Sequence, residues 1–178
     1  MKIISRSAAQ TKKIAADLAK KILDTSIIDH RPSSATVVAL CGDLGAGKTT
    51  FTQGFAKALG IKHRMLSPTF LIFRKYDIKK NLQSSRPEGR GSPGAAIFSA
   101  GGGSAFGGNF QFFYHVDLYR IHSAEELSIL GFKKILHSPF NILLIEWAEK
   151  IKKILPKDTI WVQFEHGEKE NERIVIMK

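Results

Sequence analysis

The stretch GDLGAGKTT at Gly42–Thr50 constrains this chain more than any other part of it. Gly42, Gly47, Lys48 and Thr49 stand in register with G-x-x-x-x-G-K-[ST], a pattern that cradles phosphate groups. The pattern needs a strand before it and a helix after it, and both are present in the sequence. TVVALC, residues 36–41, is β-branched and apolar enough for a buried strand, and KTTFTQGFAKAL, residues 48–59, has the spacing of an amphipathic helix stopped by Gly60. Glycines allow the backbone to turn its N–H groups onto a phosphate chain, and the helix N-terminus adds partial positive charge. Lys48 would then reach the β- and γ-phosphates. The Thr49 hydroxyl would ligate Mg²⁺, a cation that prefers hard oxygens and phosphate.

A chain of 178 residues with 43% apolar content is about one domain long and can build one layered core. Its formal net charge of +11 suits an anionic partner, whether nucleic acid, nucleotide or acidic protein, and suits a solvated basic surface equally. The excess lies in the first two-thirds of the sequence, and no RNA-binding module is recognisable there. Cys41 is the single cysteine and sits in the apolar strand, so neither a disulfide framework nor a cysteine metal site is available. These features, with the absence of any apolar run near the ~20 residues of a membrane span, lead us to expect a soluble, cytoplasmic protein with no membrane partner.

Ser7 and Gln10 form a capping box, and Ile14, Leu18 and Ile22 recur at helical spacing, so residues 8–23 are expected to be one helix. The Ser67-Pro68-Thr69-Phe70 loop precedes an expected strand at 70–76. Lys79–Asn109 is rich in Gly and Ser and cannot bury enough apolar surface to offset its ordering entropy. It is expected to be a flexible insertion between two paired strands, 70–76 and 110–117. Ser123 and Glu126 open a second helix that ends near Gly131, ILLI at 142–145 reads as a strand buried on both faces, and residues 148–155 read as a short helix stopped by Pro156. Alternation in 159–166 and 173–177 around GEKEN predicts a terminal antiparallel hairpin. The fold class that follows is α/β: a single P-loop NTPase-like domain with a mixed, mainly parallel sheet and a C-terminal antiparallel hairpin.

Two acids close strands, Asp117 after FQFFYHV and Glu146 after ILLI, where α/β sheets place their ligands. Glu146 is the metal candidate with Thr49, and Asp117 the candidate to orient or deprotonate a nucleophile. Capping of loop N–H groups is the plainer role for either. Thr69 could sense a γ-phosphate, as switch loops do, or could bond only to its own turn. His115 shares a strand face with Asp117 and is read as a structural, hydrogen-bonding histidine. Trp147 is either core packing or a lid beside Glu146.

These segments together resemble a known family. GDLGAGKTTFTQGFAKALG, SPTF, HVDLYR, EEL followed by LGF, and IEWAEKI with LP resemble, in that order, the bacterial TsaE family of ATPases in tRNA threonylcarbamoyladenosine biosynthesis. The resemblance implies an ATP- and Mg²⁺-dependent ATPase that works with TsaB-type and TsaD-type partners. Together they would install threonylcarbamoyl on adenosine 37 of tRNAs reading codons that begin with A. It implies an essential role for Asp117 and metal ligation by Thr49 and Glu146; with the reading of the residues above, Lys48, Asp117, Glu146 and Thr69 are the expected catalytic residues. Nucleotide contacts carry over to Asp43, Leu44, Gly45, Ala46, Gly47, Lys48 and Thr49, with Thr50 and Trp147 beside them and Thr11 on the adenine side. The Lys79–Asn109 insertion exceeds the short turn expected of the family. A P-loop small-molecule kinase is the alternative, with Arg86 and Arg90 of the insertion clamping phosphate. A GTP switch lacks its Asn-Lys-x-Asp recognition sequence, and a scaffold with negligible catalysis would differ mainly in rate.

Overall fold

A computed structural model of the chain describes residues 1–25, 33–62, 65, 72–78, 110–121 and 123–178. Thr69 with the rest of its Ser-Pro loop, and Lys79–Asn109 with Arg86 and Arg90, lie outside the described residues. Among the described residues seven strands form one sheet in the order β1-β7-β6-β2-β5-β4-β3. They are β1 (Lys2–Ser5), β2 (Thr36–Cys41), β3 (Phe73–Asp77), β4 (Phe112–Asp117), β5 (Asn141–Glu146), β6 (Ile160–His166) and β7 (Arg173–Met177). The central strands β6, β2, β5 and β4 run parallel to one another, and the β1–β7, β6–β7 and β3–β4 ladders at the two edges are antiparallel. The sheet is mixed, and the expected C-terminal hairpin is the β6–β7 pair.

Period-2 alternation divides the core between the two sheet faces. Val38 and Leu40 of β2 face α1 (Ala8–Thr25) and α2 (Lys48–Ala58), packing with Phe51, Phe55, Phe113 and Leu144. Val37, Ala39 and Cys41 face the other way, onto α3 (Ala124–Ile129), α4 (Phe132–Leu136) and a 3-10 helix at Ala148–Ile154. Helices cover both faces of the parallel strands, which explains why β2 and β5 read as continuous apolar runs. α1 and α2 meet so closely that a Cβ at Gly54 would collide with the Lys12 backbone. Among the described residues no helix is long and apolar enough to cross a membrane.

The first capping box forms one residue off its ideal pattern. Ser7 Oγ accepts the Gln10 N–H at 3.1 Å, but the Gln10 side chain reaches back to the Arg6 N–H, at 2.8 Å, rather than to that of Ser7. The second box, Ser123 with Glu126, opens α3 as expected. Gly131, at φ 67°, breaks the chain there, and α4 follows as a separate short helix. On either side of the insertion the chain is paired: Asp77 stands opposite Phe112, and the Ile78 N–H donates to the Gln111 carbonyl at 2.9 Å.

Candidate phosphate and metal site

The site lies at the carboxyl ends of β2, β5 and β4, where the parallel strands stop and their loops begin. Gly42 leaves β2 at φ 130°, and a Cβ there would run into the Phe164 carbonyl of β6. The loop therefore packs against the sheet at a point where only glycine fits. Asp43, Leu44 and Gly45 are exposed, whereas Ala46 is buried and donates its N–H to the Asp43 carbonyl at 3.2 Å. Thr49 and Thr50 occupy the first turn of α2, both half-buried.

Lys48 is 5% exposed and folds back onto its own loop. Its ammonium donates to the Gly42 and Asp43 carbonyls at 2.6 and 2.8 Å and lies 3.8 Å from the centre of the Trp147 ring. Burial pulls its pKa below 10.5, against the opposing pull of Glu146, Glu149, Asp117 and Asp43. Trp147 lines the loop on one side and packs against Tyr119 on the other, with ring centres 5.3 Å apart. The ring is half-buried, packing against the core on the side of the 3-10 helix while lying beside Lys48.

Glu146 is 2% exposed and accepts three hydrogen bonds. Oε2 takes the Thr49 hydroxyl at 3.0 Å, and Oε1 takes Thr52 Oγ1 at 3.0 Å and His115 Nε2 at 2.9 Å. Burying an ionised carboxylate is costly unless donors surround it, and this arrangement supplies them from α2 and β4. His115 is fully buried, and among the described residues its Nδ1 has no partner. With Nε2 donating to a carboxylate, an uncharged ring leaves Nδ1 as a bare acceptor, which is less costly than a stranded N–H.

Asp117 stands opposite Glu146 in the β4–β5 register and is 5% exposed. Its Oδ1 accepts the Tyr119 N–H at 3.0 Å, so loop capping is part of its work, as the plainer expectation had it. Among the described residues two non-glycine residues have positive φ, Ile72 at 60° and Trp147 at 62°, and both adjoin these acids. The Ile72 carbonyl accepts the Asp117 N–H at 2.8 Å, and Trp147 follows Glu146 directly. A β-branched residue in that conformation is strained, and such strain gathers at functional sites.

Thr11 lies elsewhere in the bonding pattern. It is 2% exposed, shares a 2.7 Å hydrogen bond with Ser5 Oγ and also donates to the Ser7 carbonyl, which fixes the β1–α1 junction. Three contributors escaped the sequence reading: Thr52, Lys150 and Arg173. The Arg173 guanidinium reaches from β7 to the Gly45 carbonyl at 3.2 Å, and Lys150 binds the loop after Asp117. Thr52 carried a usable signal, since it lies one helical turn beyond Lys48 and Thr49 on the same side of α2.

Thr49 and Glu146 bring two hard oxygen ligands together at the mouth of a phosphate-type loop, which fits the ligand preference of Mg²⁺. Among the described residues no group of three or more His, Cys, Asp or Glu could hold a metal ion. A cation here would take its remaining ligands from phosphate and water.

Residues 5–84 and 104–175 match the family model for threonylcarbamoyl adenosine biosynthesis protein TsaE. A tRNA threonylcarbamoyladenosine biosynthesis protein TsaE of Haemophilus influenzae is 33% identical over 74% of this chain and 64% of its own length. Its counterpart in Borreliella burgdorferi is 34% identical over 70% of this chain and 69% of that protein. The crystal structure of Bacillus subtilis YdiB superposes with a TM-score of 0.60 at 26% identity, covering 98% of this chain and 82% of the other. By the span of that match and the identity of these relatives, the chain belongs to the TsaE family.

Proposed function

We propose that this chain is a Mg²⁺-dependent ATPase of tRNA threonylcarbamoyladenosine biosynthesis, acting as a nucleotide-driven switch on TsaB-type and TsaD-type partners rather than transferring the group itself. The observation that carries the reading is the 3.0 Å approach of Thr49 to Glu146 beside a buried Lys48 at the end of a glycine loop. Family membership supplies the pathway. When bound, Mg²⁺ would neutralise charge building on the β- and γ-phosphates.

Thr49 and Glu146 would hold the cation, while Thr52 and His115 keep Oε1 in place and leave Oε2 for the metal. Lys48 would leave the Gly42 and Asp43 carbonyls for phosphate, because an ionised acceptor makes roughly twice as strong a bond as a neutral one. Asp117, next to Glu146 in register, would orient the attacking water and accept its proton. Positioning and electrostatics do the work, since phosphoryl transfer asks little covalent chemistry of the protein.

The test is phosphate release from ATP by the purified chain, with Mg²⁺ or EDTA, alone and with its partners. Mg²⁺-dependent release that rises with the partners is expected. Absence of nucleotide binding by calorimetry, together with no release in the presence of partners, would refute the ATPase. A phosphorylated small-molecule product would move the assignment to a kinase.

A further inference from the structure

We propose that Lys150 is a positioning residue for Asp117, pinning the loop that carries this acid to the turn that carries Glu146 and Trp147. The proposal rests on the role given above to Asp117. The Lys150 ammonium donates to the Leu118, Tyr119 and Ile121 carbonyls at 2.9, 2.5 and 3.0 Å. An ammonium has three N–H donors, and here all three end on one short loop directly after Asp117. Among the described residues Lys150 pairs with no carboxylate, so the contact is a geometric pin on carbonyl dipoles and not an ion pair.

The pin passes to the carboxylate in one step. Tyr119 has its carbonyl held by Lys150 while its N–H donates to Asp117 Oδ1 at 3.0 Å. The Leu118 N–H donates to the Glu146 carbonyl at 3.1 Å, and its carbonyl accepts from Lys150. Lys150 itself stands in the 3-10 helix that begins after Trp147. The two acid-bearing strand ends are therefore laced together by one side chain. The Tyr119 ring, set against Trp147, is fixed by the same lacing. A surface lysine that only solubilised the protein would have no reason to spend every donor on backbone carbonyls.

Lys150→Met keeps the aliphatic stem and removes the three donors. The expected result is a fall in kcat for partner-stimulated ATP hydrolysis of about 10- to 100-fold, the scale of a small misplacement at a reacting centre. The Kd for Mg-ADP should stay within about twofold, because the phosphate loop and Glu146 are untouched. The Tyr119 amide should exchange its proton faster in the variant, measured by nuclear magnetic resonance without nucleotide. Lys150→Arg, which also presents several donors, should recover much of kcat and of the amide protection.

The proposal is overturned if Lys150→Met leaves kcat and Tyr119 exchange unchanged. It is overturned equally if kcat and melting temperature fall while Kd rises in both the Met and Arg variants, which would mark a purely structural role. Absence of hydrolysis by the wild-type protein would defeat the ATPase reading instead. Tyr119 exchange would still decide whether Lys150 holds the loop.

Discussion

Replacing Glu146 by Ala separates metal binding from folding, because its three donors differ in what they can do once the carboxylate is gone. Thr52 Oγ1 keeps a second acceptor, the Lys48 carbonyl at 3.1 Å. Thr49 is half-buried and can turn to water. Among the described residues only His115, fully buried and without a partner at Nδ1, loses its one hydrogen bond. A stranded buried donor costs about 1–3 kcal/mol, and removal of the buried negative charge offsets part of that. Stability should therefore fall by no more than about 3 kcal/mol, or about 2–4 °C in Tm per kcal/mol for a chain of this size. Nucleotide binding should change in a different way. In the wild type, Mg²⁺ should tighten ADP binding at least about tenfold, or ~1.4 kcal/mol, over binding in EDTA. In the variant that ratio should collapse toward unity while metal-free affinity persists. Calorimetric titration of ADP with Mg²⁺ and with EDTA measures both. A folded Glu146→Ala protein that keeps the full Mg²⁺ enhancement would refute the assignment of Glu146 to the metal.

Lys48→Ala should weaken nucleotide binding by about 2–4 kcal/mol, the loss of a desolvated charge-assisted contact, and unchanged affinity by calorimetry would remove the phosphate-loop assignment. Trp147 should report nucleotide through its fluorescence in a Trp161→Phe background, since its ring lies 3.8 Å from the Lys48 ammonium that has to move; an unresponsive signal would dissociate ring and loop. Burial, helped by Glu149, pushes the Cys41 thiol from 9.0 up to about 12. The folded pKa is raised, so the stabilisation is complete below 9.0 and is lost above it, as the unfolded chain ionises first. The loss should be about 1.4 kcal/mol per pH unit, read as the difference between wild type and Cys41→Ala in denaturant melts from pH 9 to 10.5. Parallel pH profiles for the two proteins would contradict this.

What the sequence disclosed was local. The β2 strand, the glycine loop and α2 are contiguous, so Thr36 to Leu59 carried both the pattern and its required context. Glu146 and Asp117 were legible because each ends an apolar run, and the carboxyl end of a parallel strand is where ligands gather. β1 was not legible: Lys2–Ser5 is four residues long, and its partner is β7 at the other end of the chain. α4 was hidden because five residues cannot show a helical period, and the 3-10 segment looked helical although Ile151 departs to φ −123°. Lys150 and Arg173 act on backbone carbonyls of distant loops, contacts that no spacing rule encodes. The left-handed conformations of Ile72 and Trp147 run against the preferences of both side chains, so local propensity points away from them.

The proposed Mg²⁺ has an electrostatic rationale in the charges around the loop. Among the described residues Glu146, Glu149, Asp117 and Asp43 act on the Lys48 ammonium, while Arg173 is bonded to the Gly45 carbonyl and Lys150 to the loop after Asp117. A polyphosphate entering alone would add negative charge beside these four carboxylates. Two of those carboxylates, Asp117 and Glu146, are nearly buried, where repulsion is screened least. Lys48 would not redress this alone, since to meet phosphate its ammonium would have to leave the carbonyls and the Trp147 face that now satisfy it. A cation held between Thr49 and Glu146 would change the balance, adding positive charge beside the most buried of these acids and supplying phosphate with a partner. Nucleotide and metal would then bind as one unit, each raising the affinity of the other by the same factor, as linkage requires.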